Sequence, residues 1–352
     1  ISTWFFWVFG ANCVLLGWCG ANDPDAVWLG MEFVIWSRLA TIFYFAYFSD
    51  DSAYAVRMPS GEIRMFNIDI KSCDCSHTQH LFDMPIKVTP EPLKAAVVTL
   101  VDQLRLPFEV VSNQDERHKV RLKPHTAKLQ SGSTMTTLIN NIACLLIAYS
   151  LSETGACTVE GIRLAGEACG YQLTVEHCID YSQLQFLKHS PVYDTNGRLQ
   201  PVLNLGVMLR SIGTCKGDLP GRGDIRTRAL QFTGGLLHGM YPRVRFPLLD
   251  NLKKNTLSST VKVDRHIQDL LRHKIVDDDE EVFSVSSADI YRRYSFPFEG
   301  APLRADEYAE LDEVFGNLTF EDHYASPATD KIFRQDYGLR AKFTRREPKP
   351  AR

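Results

Sequence analysis

The sequence has no Cys-x-x-Cys pair, no internal repeat and no marked excess of charge of either sign. Its nine cysteines are scattered, which excludes the usual zinc-finger and zinc-ribbon patterns and favours reduced thiols in an intracellular setting. The formal net charge of −3 excludes a polycationic chain, so any nucleic-acid surface has to be local. With 45% hydrophobic and 23% charged residues over 352 positions, the composition is globular and excludes a disordered chain.

Charged side chains are also absent from residues 1–22, which are rich in Trp, Phe and Val. Length alone would allow this segment to span a membrane. Its glycines, Asn12 and the lack of a basic flank disfavour both a span and a signal peptide, so we expect a buried segment and keep a span as the alternative. Because the chain begins with Ile1 rather than Met, we expect it to be part of a longer product.

The next segment predicts three strands joined by short turns. Residues 38–48 form an aromatic and β-branched run that predicts a buried strand, and residues 53–58 predict a second, shorter one. Residues 59–62, Pro-Ser-Gly-Glu, predict a tight turn into a third strand at residues 63–68.

Aspartates stand at the ends of these predicted strands. Asp50 and Asp51 occupy the tip of the first hairpin, and Asp69 follows the third strand, five positions before Asp74. Two adjacent carboxylates repel each other, so their position on a hydrophobic hairpin favours a divalent-cation site, with a solvated turn as the alternative. If the strands pair antiparallel, Asp69 joins the same site.

A second polar group opens a predicted apolar helix at residues 133–151. Ser131 and Gly132 precede the helix, and Thr136 and Asn140 lie one turn apart on the same face. An ordinary Ser-Gly helix entry with two polar helix residues is the alternative interpretation. The spacing Ser-Gly-x3-Thr-x3-Asn is more specific than that interpretation requires.

The remaining predicted elements of this half alternate between helices and short strands. Helices are expected at residues 90–105 and 159–169, and strands at residues 108–111, 119–123, 171–175 and 185–188. Lys119, Arg121 and Lys123 alternate along one of these strands, so they share one of its faces.

The aspartate pair, the Asp-x4-Asp segment and the Ser-Gly-x3-Thr-x3-Asn segment resemble motifs C, A and B of viral RNA-dependent RNA polymerases. Residues 170–174, Gly-Tyr-Gln-Leu-Thr, resemble the end of motif D, and residues 186–189, Phe-Leu-Lys-His, resemble motif E. The order C-A-B-D-E is similar to the permuted palm of birnavirus and permutotetravirus polymerases. The tight turn at residues 59–62 and the short connection at residues 152–158 are what this permutation requires.

The resemblance implies an α+β right-hand polymerase with a palm of split βαβ (ferredoxin-like) type, partial fingers and a mainly helical thumb. The implied domains are partial fingers or an upstream connection at 1–37, palm at 38–75, a fingers insertion at 76–130, palm again at 131–194, thumb at 195–343 and a basic tail at 344–352.

The implied activity is template-directed RNA synthesis, that is, nucleotidyl transfer from an NTP to an RNA 3′-hydroxyl with two Mg²⁺ or Mn²⁺ ions in viral genome replication. Catalytic metal ligands are implied at Asp50, Asp69 and, as a secondary ligand, Asp51. The implied nucleotide-binding residues, which distinguish ribose from deoxyribose, are Asp74, Ser131, Gly132, Thr136 and Asn140. The implied RNA-binding residues are Lys188, Lys119, Arg121 and Lys123.

The expected partners are an RNA template and primer, NTPs and other viral replication proteins, in the host cytoplasm or the virion. Two features depart from the family. Ser49 stands where a glycine is usual, and residues 1–48 contain one basic residue, Arg38, where a Lys/Arg-rich motif F strand is expected. A non-catalytic RNA-binding or replication-scaffold fragment is therefore the alternative. We expect the chain alone to extend primers poorly and an N-terminally extended product to restore extension.

Overall fold

The computed structural model describes residues 32–112, 117–131, 133–211, 224, 227–228, 244–256, 282–297, 300–318 and 324–338. The fold is mixed α+β, which agrees with the class predicted from the sequence. It divides into two compact units, and among the described residues the first ends at Cys178 and the second begins at Ile179. The predictions for residues 1–22, Gly132 and the tail at 344–352 fall outside the described residues.

A five-stranded antiparallel sheet forms the centre of the first unit, in the order β1-β2-β3-β4-β7. Its strands are β1 (Glu32–Arg38), β2 (Thr41–Phe48), β3 (Asp51–Arg57), β4 (Ile63–Ile70) and β7 (Leu173–Cys178). A separate hairpin contains β5 (Phe108–Val111) and β6 (Lys119–Leu122). The predicted antiparallel pairing of the third strand with the hairpin is therefore confirmed, as β4 against β3.

Five helices accompany this sheet: α1 (Cys73–Ser76), α2 (Gln79–Val88), α3 (Glu91–Gln103), α4 (Thr136–Thr154) and α5 (Val159–Ala168). Alternate side chains of the strands are buried against apolar residues of α4, because successive strand residues point to opposite faces. Phe45, Tyr54 and Phe66 are fully buried on this face of the sheet. Asp51 and Asp69 are separated from Tyr54 and Phe66 by odd numbers of residues along their strands, so their side chains lie on the other face of the sheet.

The turns that join the strands fix the register. The Met58 N–H donates to the Glu62 carbonyl at 2.8 Å, and Gly61 adopts φ +87°, a left-handed conformation that glycine accepts without a steric cost. The turn predicted at residues 59–62 is thus confirmed. Helix α4 ends at Gly155, which has φ +62° and donates its N–H to the Leu151 carbonyl.

Two of the strands predicted from the sequence were wrong. Residues 38–48 do not form one strand, because a turn at Leu39 and Ala40, with φ of 48° and 61°, separates β1 from β2. Residues 185–188 are not a strand either. Leu187 and Lys188, with φ of 48° and 63°, form a turn, and the strand begins at His189.

The second unit contains short strands and several helices. Among its described residues, the elements are a 3₁₀ turn (Tyr181–Gln183), β8 (His189–Tyr193), β9 (Leu199–Leu203), α6 (Leu205–Ser211), β10 (Val244–Arg245), α7 (Pro247–Thr256), β11 (Phe283–Ser284), α8 (Ser287–Arg292), α9 (Ala305–Asn317) and α10 (Pro327–Tyr337). Leu248, Leu311 and Ile332 are fully buried in its core. In the described part of the chain, no helix is both long and apolar enough to cross a bilayer.

A buried ion pair lies inside this second core. Arg293 Nε donates to Asp336 Oδ1 at 2.9 Å, and the Tyr294 hydroxyl and the Gly206 N–H donate to Asp336 Oδ2 at 2.8 and 2.7 Å. Both charged residues are buried. A buried charge is tolerated only when its hydrogen bonds are made, and here both carboxylate oxygens are engaged.

Candidate metal- and nucleotide-binding site

Asp50, Asp51 and Asp69 lie at one end of the sheet, at the turn between β2 and β3 and at the end of β4. Asp51 is the first residue of β3 and is the direct cross-strand partner of Asp69 on β4. Residues so paired have Cα atoms about 5 Å apart and side chains on the same face of the sheet. Asp50 immediately precedes Asp51 in the turn, and both Asp50 and Asp69 are exposed.

Asp74 acts electrostatically on the same buried thiol, that of Cys73, as Asp50 and Asp69 do. Burial raises the pKa of the Cys73 thiol above its ordinary value, and the nearby carboxylates of Asp50, Asp74 and Asp69 raise it further. Such action declines with distance, so each of these three carboxylates lies near Cys73. Exposed carboxylate oxygens are the donors that Mg²⁺ and Mn²⁺ prefer, and a cation would offset the repulsion between the paired Asp51 and Asp69. The residues present therefore fit the expected ions.

Asp74 lies in α1 and receives hydrogen bonds on both carboxylate oxygens. Asn140 Nδ2 donates to Oδ1 at 3.1 Å, and the Ser131 hydroxyl donates to Oδ2. Asp74 is nevertheless partly exposed, and each carboxylate oxygen has a second lone pair that can accept a further hydrogen bond. Thr136 makes a different contact, donating from Oγ1 to the Gln130 carbonyl at 3.0 Å, and so supports the segment that carries Ser131.

Asn140 is buried on α4 and uses both ends of its amide. Nδ2 donates to Ser49 Oγ as well as to Asp74, each at 3.1 Å. Oδ1 lies 2.7 Å from His77 Nε2 and accepts from the Cys73 thiol at 3.4 Å. Asn140 therefore contacts the hairpin tip and the motif A-like segment at the same time.

Helix α4 also holds the backbone of Ser49. The Ser49 N–H donates to Asn141 Oδ1 at 2.6 Å, and the Cys144 thiol donates to the Ser49 carbonyl at 3.2 Å. Asn140 and Cys144 are four residues apart, so they lie on one face of the helix. The turn that carries Asp50 is thus fixed from α4 at three points.

Sequence reasoning missed His77 and Tyr171, which complete this network. His77 Nδ1 lies 3.2 Å from the Tyr171 hydroxyl. Burial lowers the pKa of His77, against the raising effects of its hydrogen bond with Asn140 and of the Asp74 and Asp50 carboxylates. A single histidine next to a predicted strand end carries no distinctive sequence signal. Its spacing of four from Cys73 is the only hint.

Cys73, Asp74 and His77 form a second candidate ligand set, because their donor atoms all lie within 4.8 Å of one another and could hold a metal ion. All three already form hydrogen bonds with the Asn140 amide. An ion there would have to displace those bonds.

The four predicted RNA-binding residues are distant from the aspartates along the sequence. Lys119 is 3.9 Å from Glu109, and Arg121 is the cross-strand partner of Glu109 in the β5–β6 hairpin. Lys123 is exposed beyond the end of β6. In the second unit, Lys188 donates to the Asp336 carbonyl at 3.0 Å. Their contacts with RNA stay predictions.

Comparisons with known proteins leave the family unassigned. No family model matches the chain. Over 44 residues the chain is 48% identical to cytochrome b/c1 of Bradyrhizobium diazoefficiens, a match that covers 12% of this chain and 6% of that protein. A chain in the X-ray structure of the birnavirus VP1-VP3 complex aligns with 88% of this chain at 14% identity and a TM-score of 0.40. The aligned part is 44% of that birnavirus chain, so this chain spans less than half its length.

Proposed function

We propose that this chain carries the palm of a template-directed RNA polymerase of the permuted viral type. The observation that carries the proposal is the direct pairing of Asp51 with Asp69, next to Asp50. The contact of Asp74 with Ser131 and Asn140 supports it, because two separate predicted motifs supply these residues. In this proposal residues 38–75 and 131–194 form the palm, and template, primer and NTPs are the partners.

Asp50 and Asp69 would hold two Mg²⁺ or Mn²⁺ ions, with Asp51 as a secondary ligand. When bound, the ions activate the RNA 3′-hydroxyl and stabilise the charge on the departing pyrophosphate. The contribution of the chain is positional. Antiparallel pairing of β3 with β4 holds the aspartates at the same end of two adjacent strands, and α4 fixes the turn that carries Asp50.

Asp74 would select the sugar of the incoming nucleotide. A carboxylate held by Ser131 and Asn140 can accept a further hydrogen bond from a ribose 2′-hydroxyl. Deoxyribose has no group to make that bond, so a site built around it discriminates against deoxyribonucleotides. The proposed product is therefore RNA.

The first prediction tests the metal ligands. Asp50→Asn and Asp69→Asn each keep the side-chain size but remove a negative ligand. We expect each to weaken Mn²⁺ binding by at least about tenfold, the scale on which changes around a metal site act. Electron paramagnetic resonance of Mn²⁺ titrated into the full chain measures binding, and RNA primer extension measures turnover.

Asp102→Asn is the matched control. Asp102 is an exposed aspartate in the same unit that pairs with Arg105, and exposed ion pairs contribute little to stability. Unchanged Mn²⁺ binding in both Asp50→Asn and Asp69→Asn would contradict the proposed site. If the chain and its N-terminally extended product both bind Mn²⁺ and RNA without extending a primer, the non-catalytic scaffold is the better assignment.

A further inference from the structure

The orientation of the Asn140 amide follows from its neighbours. A carboxylate accepts hydrogen bonds and has none to donate, so the end of the amide that lies 3.1 Å from Asp74 must be the NH₂ group. The carbonyl oxygen Oδ1 then faces His77 Nε2 at 2.7 Å. A flipped amide would place Oδ1 against the carboxylate and would bring two acceptors together.

The tautomer of His77 follows from that orientation. Because Oδ1 of Asn140 accepts, Nε2 of His77 must carry a hydrogen. His77 is only 6% exposed, and burial disfavours a charged ring, so the imidazole carries a single proton. Nδ1 is then an acceptor, and the Tyr171 hydroxyl 3.2 Å away must be its donor.

We propose that His77, held by Tyr171, is a positioning residue for ribose selection: it fixes the Asn140 amide so that the amide donates to Asp74 and keeps that carboxylate directed at the sugar. This inference rests on the proposed function and extends it to two residues to which the predicted motifs give no role. His77 acts through Asn140 and has no contact with substrate in this role.

The hydrogen bonds that hold the Asn140 amide are buried, so they fix its orientation. Asn140 is 1% exposed and Tyr171 is 4% exposed, so water does not compete strongly for these hydrogen bonds. Asn140 has both Nδ2 hydrogens in use, with Ser49 and Asp74. Asp74 itself is partly exposed, so Asp74 is the group that meets a nucleotide.

The first test reads the tautomer without any need for turnover. Long-range ¹H–¹⁵N spectra of the full chain, labelled at histidine, show which ring nitrogen is protonated, and the signal missing from His77→Gln identifies His77. We expect a neutral ring protonated at Nε2 at neutral pH. In Tyr171→Phe we expect the proton to stay on Nε2, because Asn140 Oδ1 still accepts it, and the ¹⁵N shift of Nδ1 to change, since the phenol no longer donates to Nδ1. A ring protonated at Nδ1 would overturn the proposal.

The second test measures sugar choice in single-nucleotide incorporation with GTP or dGTP. In His77→Leu we expect the ratio of kcat/KM for the two nucleotides to fall about tenfold, mainly through a higher KM for GTP, the scale of one hydrogen bond to a charged group. His77→Gln should restore most of the ratio, because its amide offers a donor near the position of Nε2. His80→Leu, which changes an exposed histidine on α2, is the matched control.

The two tests separate the inference from the proposed function. Extension by His77→Leu with unchanged sugar discrimination would overturn the positioning role and leave the polymerase assignment intact. A ring protonated at Nε2, together with no primer extension by either the chain or its N-terminally extended product, would support the network and count against the polymerase. A loss in His77→Gln equal to that in His77→Leu would show that the imidazole fills space and does not position Asn140.

Discussion

Ser49 combines a strained backbone with three contacts to α4. Its φ of 54° is left-handed, which costs a residue with a side chain about 1 kcal/mol relative to glycine. Its hydroxyl accepts from Asn140, and its N–H and carbonyl bind Asn141 and Cys144. Serine therefore adds a side-chain hydrogen bond at the cost of backbone strain, at a position where the polymerase family that the sequence resembles usually has glycine.

Substitutions at Ser49 should separate these two effects. Ser49→Ala keeps the strained φ and removes the hydroxyl, so we expect it to lower the free energy of unfolding by about 1 kcal/mol. Ser49→Gly removes the same hydroxyl but relieves the strain, so its free energy of unfolding should lie close to that of the unchanged chain. Urea denaturation measures both. Equal destabilisation by the two variants would contradict the strain argument.

At the scale of elements, the close approach of α5 to β7 is set by Gly166. A Cβ built on Gly166 would lie 2.4 Å from Leu173 Cγ. Leu173 is buried and pairs with Ile70 on β4, one residue from Asp69. Any larger residue at position 166 must therefore displace the Leu173 side chain or move α5 away from the strand that borders the aspartates.

Gly166→Ala should destabilise the first unit although alanine is the better helix former. The overpacking cost of about 1–3 kcal/mol exceeds the helix-propensity gain of about 1 kcal/mol. Gly161→Ala on the same helix is the control, because its Cβ would meet Thr158 Oγ1 at 3.1 Å and Ala156 Cβ at 3.5 Å, without the overlap found at Gly166. Thermal melts compare the two. A melting temperature for Gly166→Ala at or above that of Gly161→Ala would show that Leu173 repacks without cost.

The sequence predicts the elements of the first unit well where local signals are strong. The turn at residues 59–62 contains Pro and Gly, and β4 is predicted at 63–68 and observed at 63–70. The turns at Leu39-Ala40 and Leu187-Lys188 are missed because Leu, Ala and Lys occupy left-handed positions that Gly and Asn normally fill. Their conformation is set by strand pairing, which local propensity does not contain.

The candidate site also contains residues that the sequence predicts and residues that it does not. Asp50, Asp51, Asp69 and Asp74 are predicted from strand ends and spacing, and the proximity of Asp51 to Asp69 follows from antiparallel pairing. His77 and Tyr171 could not be predicted, since they meet only after α1 and the strand β7 are both in place. Contacts that depend on two distant segments leave no periodic pattern in either one.

At the scale of the whole molecule, two hydrophobic cores lie in different units. One core is built from residues between Phe43 and Val175, and the other from residues between Val192 and Ile332. The buried pair of Arg293 and Asp336 belongs to the second core alone. The two units therefore have separate sources of stability among the described residues.

Asp336→Asn tests that separation, because it leaves the buried guanidinium of Arg293 without a counter-charge. Breaking one side of a buried pair costs about 3–5 kcal/mol, so we expect faster hydrogen exchange in α6, α8 and α10. Exchange in β2, β3 and β4 should stay slow, since none of their core contacts involves Asp336. Asp330→Asn, an exposed change on the same helix α10, is the control. Equal acceleration in both units would show that they unfold together, and the aspartate cluster would then depend on the second core as well as on its own sheet.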